Sequence, residues 1–334
     1  MTGISRRLTG AIGLGAMTLV AAASALAQRA PLPAECRREL IAQCGAASDR
    51  RACIRSALPK ISDECRKAIS ESRTATQPLT AGMTEFAYGP DKLHKLDLIA
   101  PAGGKRPPLV LFVHGGGWSI GDKRNAAGSK AAHFTAAGYA FASVNYRLVP
   151  QATVEQQAAD IAAAVAFLRT HAAKSNYDPD RIILMGHSAG AHLAALVGTD
   201  PAYFAAAKVP LGAVKGVILL DGAGYDIARQ AADPQNSVSS MYHTAFGTDP
   251  ARQARLSPTR HVPAPNIVNW LILPIERRAD SNAQSQALAA GLIKAGAKAS
   301  VIAVLGESHG SLNQGFGEAG DFATARVDAF LDAL

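Results

Sequence analysis

Cysteine is scarce and confined. All four residues, Cys36, Cys44, Cys53 and Cys65, fall between positions 36 and 65, and none follows in the rest of the 334-residue chain. No C-x2-C pair or neighbouring histidine accompanies them, which argues against a zinc site. Nor does any apolar run beyond the N-terminus approach the roughly 20 residues of a membrane-spanning helix, so no span is expected after the first residues. Charged residues are only 18% and aromatic residues 6%. The hydrophobic share of 48% argues for one large domain with a small appendage rather than a disordered chain.

What is present begins with an export signature. Arg6 and Arg7 precede an apolar stretch from Ala11 to Ala23, and Ala25-Leu26-Ala27 reads as a cleavage site, so residues 1–27 are expected to be a signal peptide. The mature chain would then be exported, periplasmic or secreted. In that setting an even, clustered set of cysteines implies two disulfides among three pairings. Cys44 with Cys53 across a turn, enclosed by Cys36 with Cys65, is the working assignment.

The net charge of +8 raises the question of nucleic acid. Ten Lys or Arg against six Asp or Glu lie between Gln28 and Gln77, so with Arg6 and Arg7 set aside only about +2 remains for the rest. No aromatic residues interleave with those charges, and a solvated helical surface is expected rather than a nucleic-acid partner. Residues 34–72 have helical composition with breaks near Gly45 and at Pro59, and residues 74–78 read as a linker closing a segment 28–77.

From Thr80 onward, strand and helix patterns alternate, which predicts an α/β fold with a mostly parallel, doubly wound sheet over residues 78–334. Short continuous apolar runs suit strands buried on both faces: Leu109–Val113, Tyr139–Asn145, Arg181–Met185, Lys215–Leu220, Val268–Leu273 and Ser300–Leu305. Thr84–Tyr88 and His94–Ile99 alternate more and suit opening antiparallel strands. Val154, Ala158, Ile161, Val165 and Leu168 recur at helical spacing. Residues 225–265, with Asp233-Pro234, Asp249-Pro250 and Ser257-Pro258, are expected to form a lid or insertion.

Chemistry concentrates in Gly186-His187-Ser188-Ala189-Gly190, a G-x-S-x-G pentapeptide between an apolar strand and an apolar helix. A nucleophile presented at such an elbow needs small neighbours and strained dihedrals. Upstream, Leu109–Val113 runs into His114-Gly115-Gly116-Gly117-Trp118. The N–H groups of Gly116, Gly117 and Ala189 are the candidate oxyanion donors, and Trp118 is a candidate substrate contact or else loop core. His114, on the oxyanion strand, is expected to order the loop. A base must reach the serine from a loop after the last strand, which selects His309 in Gly306-Glu307-Ser308-His309-Gly310. His187 and His192 belong to the elbow and its helix; the other histidines lack that context.

These motifs, with Gly121-Asp122-Lys123, Tyr146-Arg147-Leu148 and Ala191-His192-Leu193, resemble the HGGGW branch of the hormone-sensitive-lipase-like carboxylesterases. That branch includes feruloyl and acetyl-xylan esterase-like enzymes and arylformamidases. The resemblance covers Thr80 to the C-terminus and implies an α/β-hydrolase fold. Asn145 departs from it, standing where an aspartate is usual. The cysteine-rich segment is similar to a small repeat of some exported and Golgi proteins, and would place a disulfide-linked helical segment ahead of the hydrolase domain.

For the acid, the loop after the penultimate strand offers Glu276 and Asp280. Asp280 is preferred, since it precedes Ser281 and a helix as in the family pattern; Asp221 and Asp226 are outside candidates. Together the residues point to a Ser188–His309–Asp280 triad cleaving a carboxylic ester through an acyl-enzyme. The substrate would be a small-molecule or carbohydrate-linked ester, and no metal or organic cofactor is implied. Arylformamidase or other amide hydrolysis, peptidase action and an inactive binding role are the alternatives. Oligomeric state is left open.

Overall fold

The computed structural model describes residues 34–44, 57, 60–66, 81–103, 106–232 and 239–334. The chain divides into two compact units, residues 1–75 and 76–334. In the first, helix α1 (Ala34–Cys44) carries Cys36, which is disulfide-bonded to Cys65. Both sulfurs are buried beside Ile61. Cys53 and the side chain of Cys44 lie outside the described residues, as does the expected signal peptide.

The second unit is built on eight strands: β1 (Thr84–Ala87), β2 (Lys95–Ile99), β3 (Leu109–Val113), β4 (Ala140–Val144), β5 (Ile182–His187), β6 (Val214–Leu220), β7 (Asn269–Leu273) and β8 (Lys298–Val301). They form one sheet in the order β1-β2-β4-β3-β5-β6-β7-β8. β1 and β2 pair antiparallel, β2 with β4 likewise, and every later pairing is parallel.

The continuous apolar runs follow from burial on both faces. Leu109, Leu111 and Val113 join one apolar cluster while Val110 and Phe112 join the other. Leu184, Leu219 and Ile272 against Met185, Leu220 and Leu273 repeat that alternation, as expected when successive side chains point to opposite faces. One face is covered by α2 (Val154–Ser175) and α3 (Ala189–Thr199), together with α4 (Ala279–Lys294). The other packs against short helices at Lys123–Ala127 and Lys130–Ala136 and against α5 (Phe322–Asp332).

α2 starts at a reciprocal cap, in which Thr153 Oγ accepts from Gln156 N and Gln156 Oε1 from Thr153 N. It ends at Asn176 in the left-handed region. Among the described residues, four short helices, Ile227–Ala232, Ser239–Phe246, Pro250–Arg255 and Pro258–His261, lie between β6 and β7.

The structure shifts one strand. The expected run 300–305 becomes an edge strand at 298–301, and Val304 rejoins the sheet as an isolated parallel bridge to Ile275. An edge strand has one buried flank, so its apolar residues do not have to coincide with the ladder. Asn145 proves structural: its Oδ1 accepts from Lys123 N at 2.6 Å and its Nδ2 donates to Asp122 Oδ2 at 3.0 Å. Asp122 in turn caps the helix that follows the glycine-rich loop. Among the described residues no helix is long and apolar enough to cross a membrane.

Trp270 on β7 is 1% exposed, lies against Gly198 of α3 and donates its indole N–H to Ile267 O at 2.6 Å. Trp270→Ala is expected to destabilise the unit by about 3–5 kcal/mol, the range for deleting a buried aromatic side chain. A urea titration followed by circular dichroism would show this as a lowered midpoint with native secondary structure retained in buffer.

Candidate active site

The sheet's parallel strands all end on one edge, and the site is assembled there. The peptide after β5 turns sharply: Ser188 adopts φ +57° and ψ −121°, a conformation that costs about 1–3 kcal/mol and persists only where the surroundings enforce it. They do so on both sides. Ser188 N donates to Leu220 O at 3.0 Å, while Ser188 O accepts from Ala191 N and His192 N in the first turn of α3. The pentapeptide glycines are required by close approach. A Cβ on Gly186 would strike Gly190 O, and one on Gly190 would strike the carbonyls of Val113 and His114.

His309 meets the serine from the loop after β8. Its Nε2 lies 2.9 Å from Ser188 Oγ, and its Nδ1 lies 2.6 Å from Asp221 Oδ2. The carboxylate oxygen can only accept, so the Nδ1 proton points to Asp221 and Nε2 is free to take the serine proton.

The residue across from His309 is therefore Asp221, and the expectation of Asp280 is corrected. Neighbouring β5 and β6 pair His187 with Leu220, so the next residues, Ser188 and Asp221, emerge side by side. Asp280 sits seven residues beyond β7 in the first turn of α4, where its Oδ2 accepts from Arg278 Nη2 at 3.0 Å and Gln230 Nε2 at 3.2 Å. Glu276 is exposed. Asp226 caps the helix Ile227–Ala232, accepting from Arg229 N.

Asp221 is 1% exposed. Burial alone would raise its pKa, but the hydrogen bond from His309, the charge of Arg278 and the Ile275 N–H outweigh it and hold the carboxyl at about 2. Ser281 Oγ supplies a further donor, 2.9 Å from Oδ1. Such a carboxylate stays ionised and does not take the serine proton.

Two other histidines are built in as neutral groups. His187 donates Nε2–H to the backbone carbonyl of His309 at 2.8 Å, with the rings 4.6 Å apart. Burial and the adjacent His309 bring its pKa down to about 3. His192 is held near 4 by burial; its Nε2–H goes to Leu256 O at 2.8 Å while Nδ1 accepts the Trp118 indole N–H at 3.3 Å. His114 orders the loop as expected, giving Nδ1–H to Gly115 O at 2.7 Å and stacking on Tyr146.

Trp118 is not a substrate surface. It is 2% exposed and packs edge-on against Phe246, Tyr242 and His192, so the loop-core alternative describes its place. The glycine-rich loop lies against the elbow, since a Cβ on Gly115 would stand 2.9 Å from the Ser188 Cβ. Among the described residues the N–H groups of Gly116, Gly117 and Ala189 have no hydrogen-bond acceptor.

Two cations at the site escaped the sequence reading. Lys130 is buried and donates to Asn313 O at 2.6 Å, four residues beyond His309, with its ammonium over the rings of Phe112 and Phe316. Burial brings its pKa down to about 7. Arg278 binds both Asp221 and Asp280; the Arg277-Arg278 pair in a strand-end loop was its signal. Among the described residues no cluster of three or more His, Cys, Asp or Glu side chains has metal-binding geometry.

Comparison with known proteins agrees with this architecture. Over 112 residues the chain is 39% identical to a probable isoprenylcysteine alpha-carbonyl methylesterase of Arabidopsis thaliana, covering 33% of this chain and 23% of that protein. It is 36% identical over 131 residues to esterase LipQ of Mycobacterium tuberculosis, covering 36% and 31%. The matched stretch thus spans less than a third of the length of these curated relatives. Esterase B from Lactobacillus rhamnosis superposes with a TM-score of 0.63 at 20% identity, covering 85% of this chain and 93% of that one. The shared fold is the α/β-hydrolase fold. Residues 96–263, about half of the chain and including the glycine-rich loop, the elbow and Asp221, match the BD-FAE family, and the chain belongs to that family.

Proposed function

We propose that this chain is a serine carboxylesterase that cleaves a carboxylic ester through an acyl-enzyme on Ser188. The observation that carries the proposal is the unbroken chain from Ser188 Oγ to His309 at 2.9 Å and from His309 to Asp221 at 2.6 Å. The esterase names of the relatives support the same reading.

In the proposed mechanism His309 Nε2 takes the Ser188 proton as Oγ attacks the ester carbonyl carbon. The resulting imidazolium is held by the ionised Asp221. Charge developing on the carbonyl oxygen is met by the N–H groups of Gly116, Gly117 and Ala189, which have no other acceptor among the described residues. His309 then passes its proton to the departing alkoxide. Water, deprotonated by the same imidazole, attacks the acyl-enzyme and releases the acid with Ser188 restored.

Only the neutral form of His309 can act as base. With His187 brought down to about 3, His192 to about 4 and Asp221 to about 2, none of these three changes its protonation state near neutral pH. The substrate is taken to be a small-molecule or carbohydrate-linked ester. Export is part of the same proposal, resting on the basic n-region, the apolar stretch and Ala25-Leu26-Ala27.

Ser188→Ala is expected to abolish both hydrolysis of p-nitrophenyl acetate and labelling by a fluorophosphonate probe; residual labelling would reject Ser188 as nucleophile. Asp221→Asn is expected to lower kcat by about 10³–10⁴, the scale seen when a triad histidine loses its orienting carboxylate. Asp280→Asn is expected to lower it by less than about tenfold, since its carboxylate reaches His309 only through Arg278; the reverse ranking would reinstate Asp280 as the acid. Mass spectrometry of protein recovered from outside the cytoplasm should find Gln28 as the first residue, and an intact N-terminus there would reject cleavage at that site.

A further inference from the structure

The loop after β7 holds a cation beside the imidazole. Arg278 Nη1 donates to Asp221 Oδ2 at 3.0 Å and to the carbonyl oxygen of the same residue at 3.2 Å, while Nη2 donates to Asp280 Oδ2 at 3.0 Å. Nη1 also stands 3.2 Å from His309 Nδ1. That nitrogen already gives its proton to Asp221 Oδ2, so imidazole and guanidinium are two donors sharing one acceptor oxygen. An imidazolium forming there feels a positive charge at contact distance.

Arg278 is the cation that directly contacts the His309 ring, and the other groups on that side are uncharged, bonded elsewhere or farther off. From the end of β5, His187 is neutral, and the second cation, Lys130, donates to the carbonyls of Asn313 and Ala126. Tyr225 and Tyr242 are phenols kept neutral by burial. On the histidine's own loop, the Glu307 carboxylate is engaged by Ser311 Oγ. The charges in direct sequence are Asp280, Arg278, Asp221 and then His309, alternating in sign when the histidine is protonated.

We propose that Arg278 is a positioning residue that sets the pH range over which His309 acts as a base, with Asp280 as its counter-ion; this rests on the Ser188–His309–Asp221 reading above. Arg278 opposes the imidazolium and thereby keeps the base neutral at lower pH. Asp280, by partly neutralising Arg278, acts in the opposite sense through one more ion pair. The side chain that the family pattern marked as the acid thus acts one step away from the histidine.

The test is kcat/KM for p-nitrophenyl acetate against pH in the full chain, for wild type, Arg278→Gln, Arg278→Lys and Asp280→Asn. Alongside it, an NMR titration of the His309 ring is made in the resting enzyme. Removing the guanidinium charge is expected to move the acidic limb and the NMR midpoint up by about one pH unit, at the low end of the range for a charge at this distance because the imidazole is partly solvated. Asp280→Asn should move both down by a smaller amount. Arg278→Lys keeps the charge but loses the planar fork whose two nitrogens reach Asp221 and Asp280 separately, so it should lower kcat with the limb near its wild-type position.

A folded Arg278→Gln whose kcat falls while both midpoints stay in place would overturn the proposal, leaving a purely structural arginine. Should Arg278→Gln fail to fold, Asp280→Asn decides, and an unmoved or upward limb overturns it. Failure of the wild type to label with a fluorophosphonate would instead reject the esterase reading, while the NMR titration would still report whether Arg278 governs His309.

Discussion

Asp221 is a carboxylate with almost no contact with water, and a buried charge of this kind persists only if its oxygens are supplied with donors. Here they come from four residues in three separate places. His309 arrives from the loop after β8, Arg278 and Ile275 from the loop after β7, and Ser281 from the first turn of α4. The convergence fixes the histidine loop against the serine elbow, and the rest of the site is arranged around it. In the proposed triad, a hydrogen-bonded ion of this sort orients the base without competing for its proton.

The same economy of charge runs through the histidines. His187, His192 and His114 are buried and uncharged, each giving its single N–H to a backbone carbonyl. They behave as rigid polar spacers: His187 fixes the backbone of His309, His114 shapes the glycine-rich loop, and His192 joins that loop to Leu256 through the Trp118 indole. The aromatic contacts of Trp118 with Tyr242 and Phe246 extend this bracing to the helix Ser239–Phe246. The unpartnered N–H groups of the loop are thus carried on a frame whose side chains are held in place by packing.

The family assignment and the fold agree with this geometry, but the fold alone is shared by many chemistries. In this chain a cation, Arg278, sits against the buried carboxylate. In an ordinary strand-end loop, Arg278 would be a surface residue; between Asp221 and Asp280 it becomes part of the electrostatic setting of the base.

Much was legible in one dimension. Continuous apolar runs marked the buried strands because both faces of a parallel sheet are covered, and G-x-S-x-G together with the glycine-rich loop located the elbow and the loop packed against it because their glycines answer local steric demands. His309 followed from its place after the last strand. The acid did not, because Asp221, Asp226, Glu276 and Asp280 all sit just past a strand end and differ only in which one the sheet carries to the histidine. That choice is made by the register of β5 against β6, which sets Asp221 level with Ser188, and by the start of α4, which turns Asp280 toward Arg278. Trp118 was ambiguous for the same reason, since whether an aromatic ring faces a ligand or a core depends on what packs across from it. Local sequence determined most of the strands and the candidates for nucleophile and base; pairing between elements far apart in the chain decided which carboxylate meets His309, because register and packing are properties of neighbours that no single segment encodes.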